Sequence, residues 1–102
     1  MEPSPVIGIF DSGVGGLSVL EEVKRATNAD IVYFGDCARA PYGNRDESEI
    51  VSFIKDDIRF LKDKGVTYFI NACNSMSVMT TSEILEECSI SVENYTDMIT
   101  AF

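Results

Sequence analysis

Three short apolar runs, each followed by a stretch of helical period, set what this chain can fold into. Val6-Ile-Gly-Ile-Phe10, Ile31-Val-Tyr-Phe34 and the run from Val66 to Ile70 are rich in β-branched and aromatic residues, as strands buried in a parallel sheet are. Between them, Leu17, Leu20 and Val23 recur at helical spacing, and Ile50, Phe53, Ile54, Ile58 and Leu61 form one stripe between Asp46 and Lys64. Strands that alternate with helices pair in parallel through right-handed crossovers, which places helices on both faces of the sheet. Ile90-Ser-Val92 is expected to begin a fourth strand. The pattern βαβαβαβ therefore predicts a three-layer α/β fold, flavodoxin- or Rossmann-like, with strand order 2-1-3-4.

Local signals refine this outline. Asp46 and Glu49 have the spacing of a capping box, Lys62 and Lys64 suit the negative end of the same helix, and Gly65 is a natural residue for leaving it. Asp56, Asp57, Lys62 and Asp63 read as the solvated face of that helix. A third helix is expected over about residues 76 to 87, with Val78, Leu85 and Cys88 on one face and Met76 and Met79 as core filler. None of Lys24, Lys55, Lys62 and Lys64 lies at a strand end, where a Schiff-base lysine would be sought.

With 102 residues the chain makes one domain and one core, too little for two lobes closing on a substrate. Its net charge of −9 disfavours nucleic acid and an anionic membrane surface as partners. No apolar run approaches the ~18 residues of a membrane span, and Met1-Glu-Pro-Ser-Pro lacks the basic and apolar regions of a signal peptide, so the expected location is the cytoplasm. Cys37, Cys73 and Cys88 are an odd number without a Cys-x-x-Cys pair, which suits reduced thiols and offers no zinc-ligand spacing. The chain has no histidine, so it supplies no Cys-His or Ser-His pair of its own.

Two strand ends carry candidate chemistry. The first strand runs into Asp11-Ser-Gly-Val-Gly-Gly16, a turn whose glycines either leave helix-start amides open to a carboxylate or phosphate or simply let strand and helix pack closely. Its spacing matches neither the dinucleotide fingerprint nor the phosphate-binding loop. The third strand stops at Cys73, followed by Asn74 and Ser75 as candidate caps of the next helix. A helix start favours anions, so a thiol there is a candidate base or nucleophile, the alternative being an inert buried cysteine. With order 2-1-3-4 the sheet reverses between its first and third strands, and a ligand crevice opens outside their carboxyl ends, where these two segments meet. The turn-rich segment from Cys37 to Asn44 forms a loop after the second strand.

Ile7-Gly-Ile-Phe-Asp-Ser-Gly-Val-Gly-Gly-Leu17, Tyr33-Phe-Gly-Asp-Cys-Ala-Arg-Ala-Pro-Tyr-Gly43 and Ala72-Cys-Asn-Ser75 together resemble the amino-terminal part of bacterial glutamate racemase, up to about Glu87. The resemblance implies interconversion of L- and D-glutamate without cofactor or metal, supplying D-glutamate for peptidoglycan. Two cysteines on opposite faces of the substrate α-carbon would remove and return the proton. Cys73 would be one of them, with Asp11 assisting, while Ser12, Tyr42, Gly43, Asn74 and Ser75 would hold the substrate amino and carboxylate groups.

The chain departs from the family pattern in places. Cys37 and Ser75 stand where the family usually has threonine, and Met76 and Met79 replace smaller residues. The second cysteine and its neighbouring histidine belong to a second domain which, like the return segment completing the first, is absent from residues 1–102. Cys88, at the far end of the third helix, is no substitute. The expectation is thus a racemase part that is inactive alone and able to self-associate through the surface left by the missing half. The alternative is a non-catalytic module that binds acidic amino acids or another partner. A phosphatase of the haloacid-dehalogenase type, hinted at by Phe10-Asp11, would want a second acid where Gly13 stands.

Overall fold

The computed structural model describes residues 5–11, 13, 16–36 and 46–97. Strands β1 (Val6–Asp11), β2 (Asp30–Gly35), β3 (Tyr68–Asn71) and β4 (Tyr95–Asp97) form one sheet in the order β2-β1-β3-β4. Every pairing is parallel, as the alternation predicts. In register, Gly8 lies between Val32 and Phe69, and Phe10 between Phe34 and Asn71. Helices α1 (Leu17–Ala26) and α2 (Glu47–Asp63) make the first two crossovers. Right-handed crossovers running in opposite directions from β1 and β2 put these helices on opposite faces.

The core sits almost entirely on the α2 face. Ile50, Ile54, Ile58 and Leu61 of α2 pack with Phe10, Phe69 and Met76, all buried. Helix α1 has no buried residue, and Leu17 at its start is 48% exposed. Its face is therefore thinly covered, although Ile9, which alternation turns toward it, is fully buried.

The caps of α2 follow the sequence. Asp46 Oδ1 accepts from the Glu49 amide at 3.0 Å, Gly65 leaves the helix at φ +87°, and Lys62 Nζ donates to the Cys88 carbonyl at 2.7 Å. The aspartate at 57 departs from the expected solvated face, since Asp57 is buried on the inner side of α2.

The expected third helix is two helices, α3 (Asn74–Met79) and α4 (Ser82–Glu87). The break falls at two threonines that offer the backbone local alternatives to a continuous helix. Thr80 Oγ1 donates back to the Met76 carbonyl at 2.7 Å, and Thr81 becomes the cap of α4, accepting from the Ile84 amide at 3.3 Å. Val78 is consequently 70% exposed, apart from Leu85 and Cys88, which are buried. The fourth strand also begins later than Ile90-Ser-Val92. Ile90 enters the core, Ser91 Oγ accepts from the Glu93 amide, and a 3-10 turn (Val92–Asn94) precedes β4.

Close approach of α2 and β3 to β1 requires glycine at position 8. A Cβ there would lie 2.7 and 2.9 Å from the two γ-carbons of Val66 and 3.2 Å from Leu61 Cδ1. Gly8→Ala is expected to destabilise the fold by about 1–3 kcal/mol through overpacking, seen as a lower urea midpoint with an unchanged slope.

Candidate active site at the carboxyl edge of the sheet

The strand order reverses between β1 and β3, and the two candidate segments follow those strands. Asp11, buried at the end of β1, turns its Oδ2 back to accept the Gly16 amide at 2.5 Å, which closes the glycine turn onto its own strand. Gly16 then sits so close to the neighbouring strands that a Cβ on it would lie 3.0 Å from the Ala72 Cβ and 3.1 Å from the Tyr33 hydroxyl. A Cβ on Gly35 would collide with the Gly13 carbonyl, the same carbonyl that accepts from the Tyr33 hydroxyl at 3.3 Å. The ladders continue past the strands: the Asp36 amide donates to the Asp11 carbonyl at 2.8 Å and the Ala72 amide to the Phe10 carbonyl at 2.9 Å. These contacts leave little room for side chains at Gly16 and Gly35, so the packing reading of the loop applies at Gly16, whereas a Cβ on Gly13 would meet nothing within 4 Å.

Ala72 is followed by Cys73, which is itself the cap residue of α3, with extended backbone at φ −106°, ψ 123°. The helix thus starts one residue before the expected caps Asn74 and Ser75 come into play. Asn71 is the reason: its Oδ1 accepts the Cys73 amide at 3.1 Å and turns the chain immediately after β3. On the other side, the Cys73 carbonyl accepts from the Ser77 amide at 2.9 Å and from Ser77 Oγ at 2.7 Å. Cys73 is 6% exposed and borders the apolar core.

Behind Cys73 lies a largely buried polar chain that no sequence motif announces. Asn71 Nδ2 donates to Thr80 Oγ1 at 3.3 Å and to the Tyr95 hydroxyl at 3.1 Å, and that hydroxyl donates to Asp97 Oδ2 at 3.1 Å. It ties β3 to α3 and β4. Its one sequence signal is a polar residue, Asn71, ending an otherwise apolar strand. Burial, the main cause, pushes the Tyr95 phenol up; hydrogen bonds from Thr80 and Asn71 oppose this, and Asp97 adds to it.

Cys88 lies at the other end of the sheet, beside the last turn of α2, as Lys62 bonding to its carbonyl shows. Burial pushes its thiol up against the pull of Arg59 and Lys55. Of the other expected site residues, Ser12, Tyr42 and Gly43 lie outside the described residues, as do Cys37 and the side chains of Asn74 and Ser75. Among the described residues no cluster of three or more His, Cys, Asp or Glu side chains is arranged to hold a metal ion, and no helix is long and apolar enough to cross a membrane.

Asp11→Ala is expected to cost about 1–3 kcal/mol by leaving the Gly16 amide without its carboxylate, with faster hydrogen exchange at Gly16 as the local readout. Tyr95 adds a pH dependence. The folded chain keeps the phenolic proton where an unfolded tyrosine loses it near pH ~10. Above that pH the unfolded state binds fewer protons than the folded one, so this contribution to stability is whole below pH ~10 and declines as pH rises. Tyr95→Phe is expected to flatten the decline in urea midpoint between about pH 8 and pH 10.5 relative to the parent chain.

No family model matches the chain. Glutamate racemase from Aquifex aeolicus is 49% identical over 82 residues, covering 79% of this chain and 32% of the relative, and that from Lactococcus lactis is 46% identical over 87 residues, covering 84% and 32%. The solved glutamate racemase from Aquifex pyrophilus superposes with a TM-score of 0.84 at 42% identity, covering 93% of this chain and 37% of that one. Glutamate racemase from Francisella tularensis, solved in complex with D-glutamate, gives a TM-score of 0.85 at 37% identity, covering 96% and 37%. The chain spans about a third of the length of the curated relatives it matches. In sequence and in fold alike, it is a homologue of that third of the glutamate racemases, which are amino-acid racemases.

Proposed function

We propose that this chain is the amino-terminal portion of the first domain of a cytoplasmic glutamate racemase and carries one of its two proton-transfer cysteines. The observation that supports this most is the close approach of Gly16 to Ala72, the residue before Cys73, at the point where the strand order reverses. A base must lie beside the α-carbon and an acidic substrate must be gripped by backbone donors; a thiol at the end of one strand and a glycine-rich segment at the end of its neighbour supply the elements of both.

In this reading the Cys73 thiolate takes the α-proton of glutamate from one face, the bond pair staying on the α-carbon as a carbanion. A thiol on the opposite face, outside residues 1–102, delivers a proton and so inverts the centre. Asp11 assists proton handling at Cys73, and Ser12, Tyr42, Gly43, Asn74 and Ser75 hold the amino and carboxylate groups. No cofactor takes part, and the product D-glutamate serves peptidoglycan synthesis. Nucleic acid and membrane surfaces are not partners of so acidic a chain. The thin cover of the α1 face, with Leu17 exposed, supports self-association of the isolated chain.

One base alone exchanges the α-proton without inverting the centre. The chain in heavy water with L-glutamate is therefore expected to show no enzyme-like loss of optical rotation, and any α-deuteration is expected to vanish in Cys73→Ala. Supplying the remaining two thirds of a relative in trans is expected to restore rotation loss. Rapid racemisation by the chain alone, or inert mixed halves that each fold, overturns the reading. The burial of Cys73 against the apolar core favours a second reading, a non-catalytic module. Calorimetric binding of glutamate by a chain that shows no Cys73-dependent exchange, even in the mixture, would select it.

A further inference from the structure

We propose that Asn71 is a positioning residue for Cys73, holding the thiol-bearing residue at the strand-to-helix junction through its amide. Asn71 is fully buried, and each polar atom of its side chain has a partner: Oδ1 receives the Cys73 N–H at 3.1 Å, and Nδ2 gives its protons to Thr80 Oγ1 at 3.3 Å and the Tyr95 hydroxyl at 3.1 Å. The direction of the network settles which end of the amide faces Cys73. The Cys73 N–H is a fixed backbone donor that only the amide oxygen can accept, so Nδ2 is the end that faces Thr80 and Tyr95. The oxygen is thereby aimed at Cys73.

The consequence falls on one residue. Cys73 is held from behind by Asn71 and from ahead by Ser77, which donates to its carbonyl through both amide and hydroxyl. Peptide groups tied on both sides hold Cys73 in its extended conformation, one residue beyond Ala72, which faces Gly16. A buried, fully satisfied polar side chain specifies one arrangement where an apolar residue would only fill space. The functional meaning of this placement rests on the racemase reading of Cys73, but the placement itself is read without turnover.

The test uses the 102-residue chain and compares Cys73 with Cys88, the buried thiol at the other end of the sheet, by peptide-resolved alkylation with iodoacetamide and by amide hydrogen exchange. Asn71→Leu keeps apolar bulk but removes the acceptor. Asn71→Thr suits a strand and keeps a hydroxyl able to accept the amide two residues on. Asn71→Leu is expected to raise Cys73 alkylation about fivefold or more relative to Cys88 and to speed exchange of the Cys73 amide about tenfold. Asn71→Thr is expected to return both to within about twofold of the parent, a rescue that loss of packing alone would not give. If Asn71→Leu does not fold, Tyr95→Phe is expected to speed Cys73 amide exchange about two- to fivefold by releasing one hydrogen bond of Asn71. The proposal is overturned if the two thiols change together, if the leucine and threonine variants behave alike, or if Tyr95→Phe leaves the Cys73 amide unmoved. A chain without racemase activity leaves all of these readouts intact.

Discussion

The pairing of β1 with β3 is the constraint on which this molecule is built. It is the step at which the chain, after laying β2 on one side of β1, crosses to the other side and reverses the strand order. Three things depend on it. The core on the α2 face closes over Gly8, where Val66 and Leu61 come too near for a side chain. Gly16 comes to rest on Ala72. The carboxyl ends of the two strands, Asp11 and Asn71, flank a place where two crossovers leave in opposite directions, which in open parallel sheets is where ligands bind.

At that edge the structure places polar groups in buried positions and satisfies them with one another. Asp11 bonds to the turn that follows it, and Asn71 bonds both to the residue two places on and to the next strand. Buried polar groups lower stability when unpaired and specify a single arrangement when paired. The bond from the Cys73 amide to Asn71 also explains why the chain turns at Cys73 rather than one or two residues later.

The split of the expected third helix shows where local pattern misleads. Residues 76 to 87 contain enough apolar positions to suggest one helix, but Thr80 and Thr81 carry hydroxyls that bond to Met76 and Ile84 and so end one helix and start another. A similar competition at Ser91 delays β4. Both misreadings come from one cause: hydrophobic period reports which side faces the core, whereas termini are set by side-chain hydrogen bonds of about the same strength as the backbone bonds they replace.

Much of the architecture was legible in the residues themselves. The apolar runs, the helical stripes and the alternation between them determined a parallel α/β sheet of order 2-1-3-4, because buried strands joined by helices have few chiral ways to pair. The Asp46 cap, Gly65 and the meeting of the glycine turn with the end of β3 follow from the same information. Tertiary structure alone decided that Asp57 of α2 is buried, that the core gathers on one face, and that Asn71, Thr80, Tyr95 and Asp97 form a single polar chain behind Cys73. Those residues are as much as 26 positions apart, from Asn71 to Asp97. No local period links a strand end to a side chain so distant along the chain; only the pairing of β3 with β4 brings them within hydrogen-bonding reach.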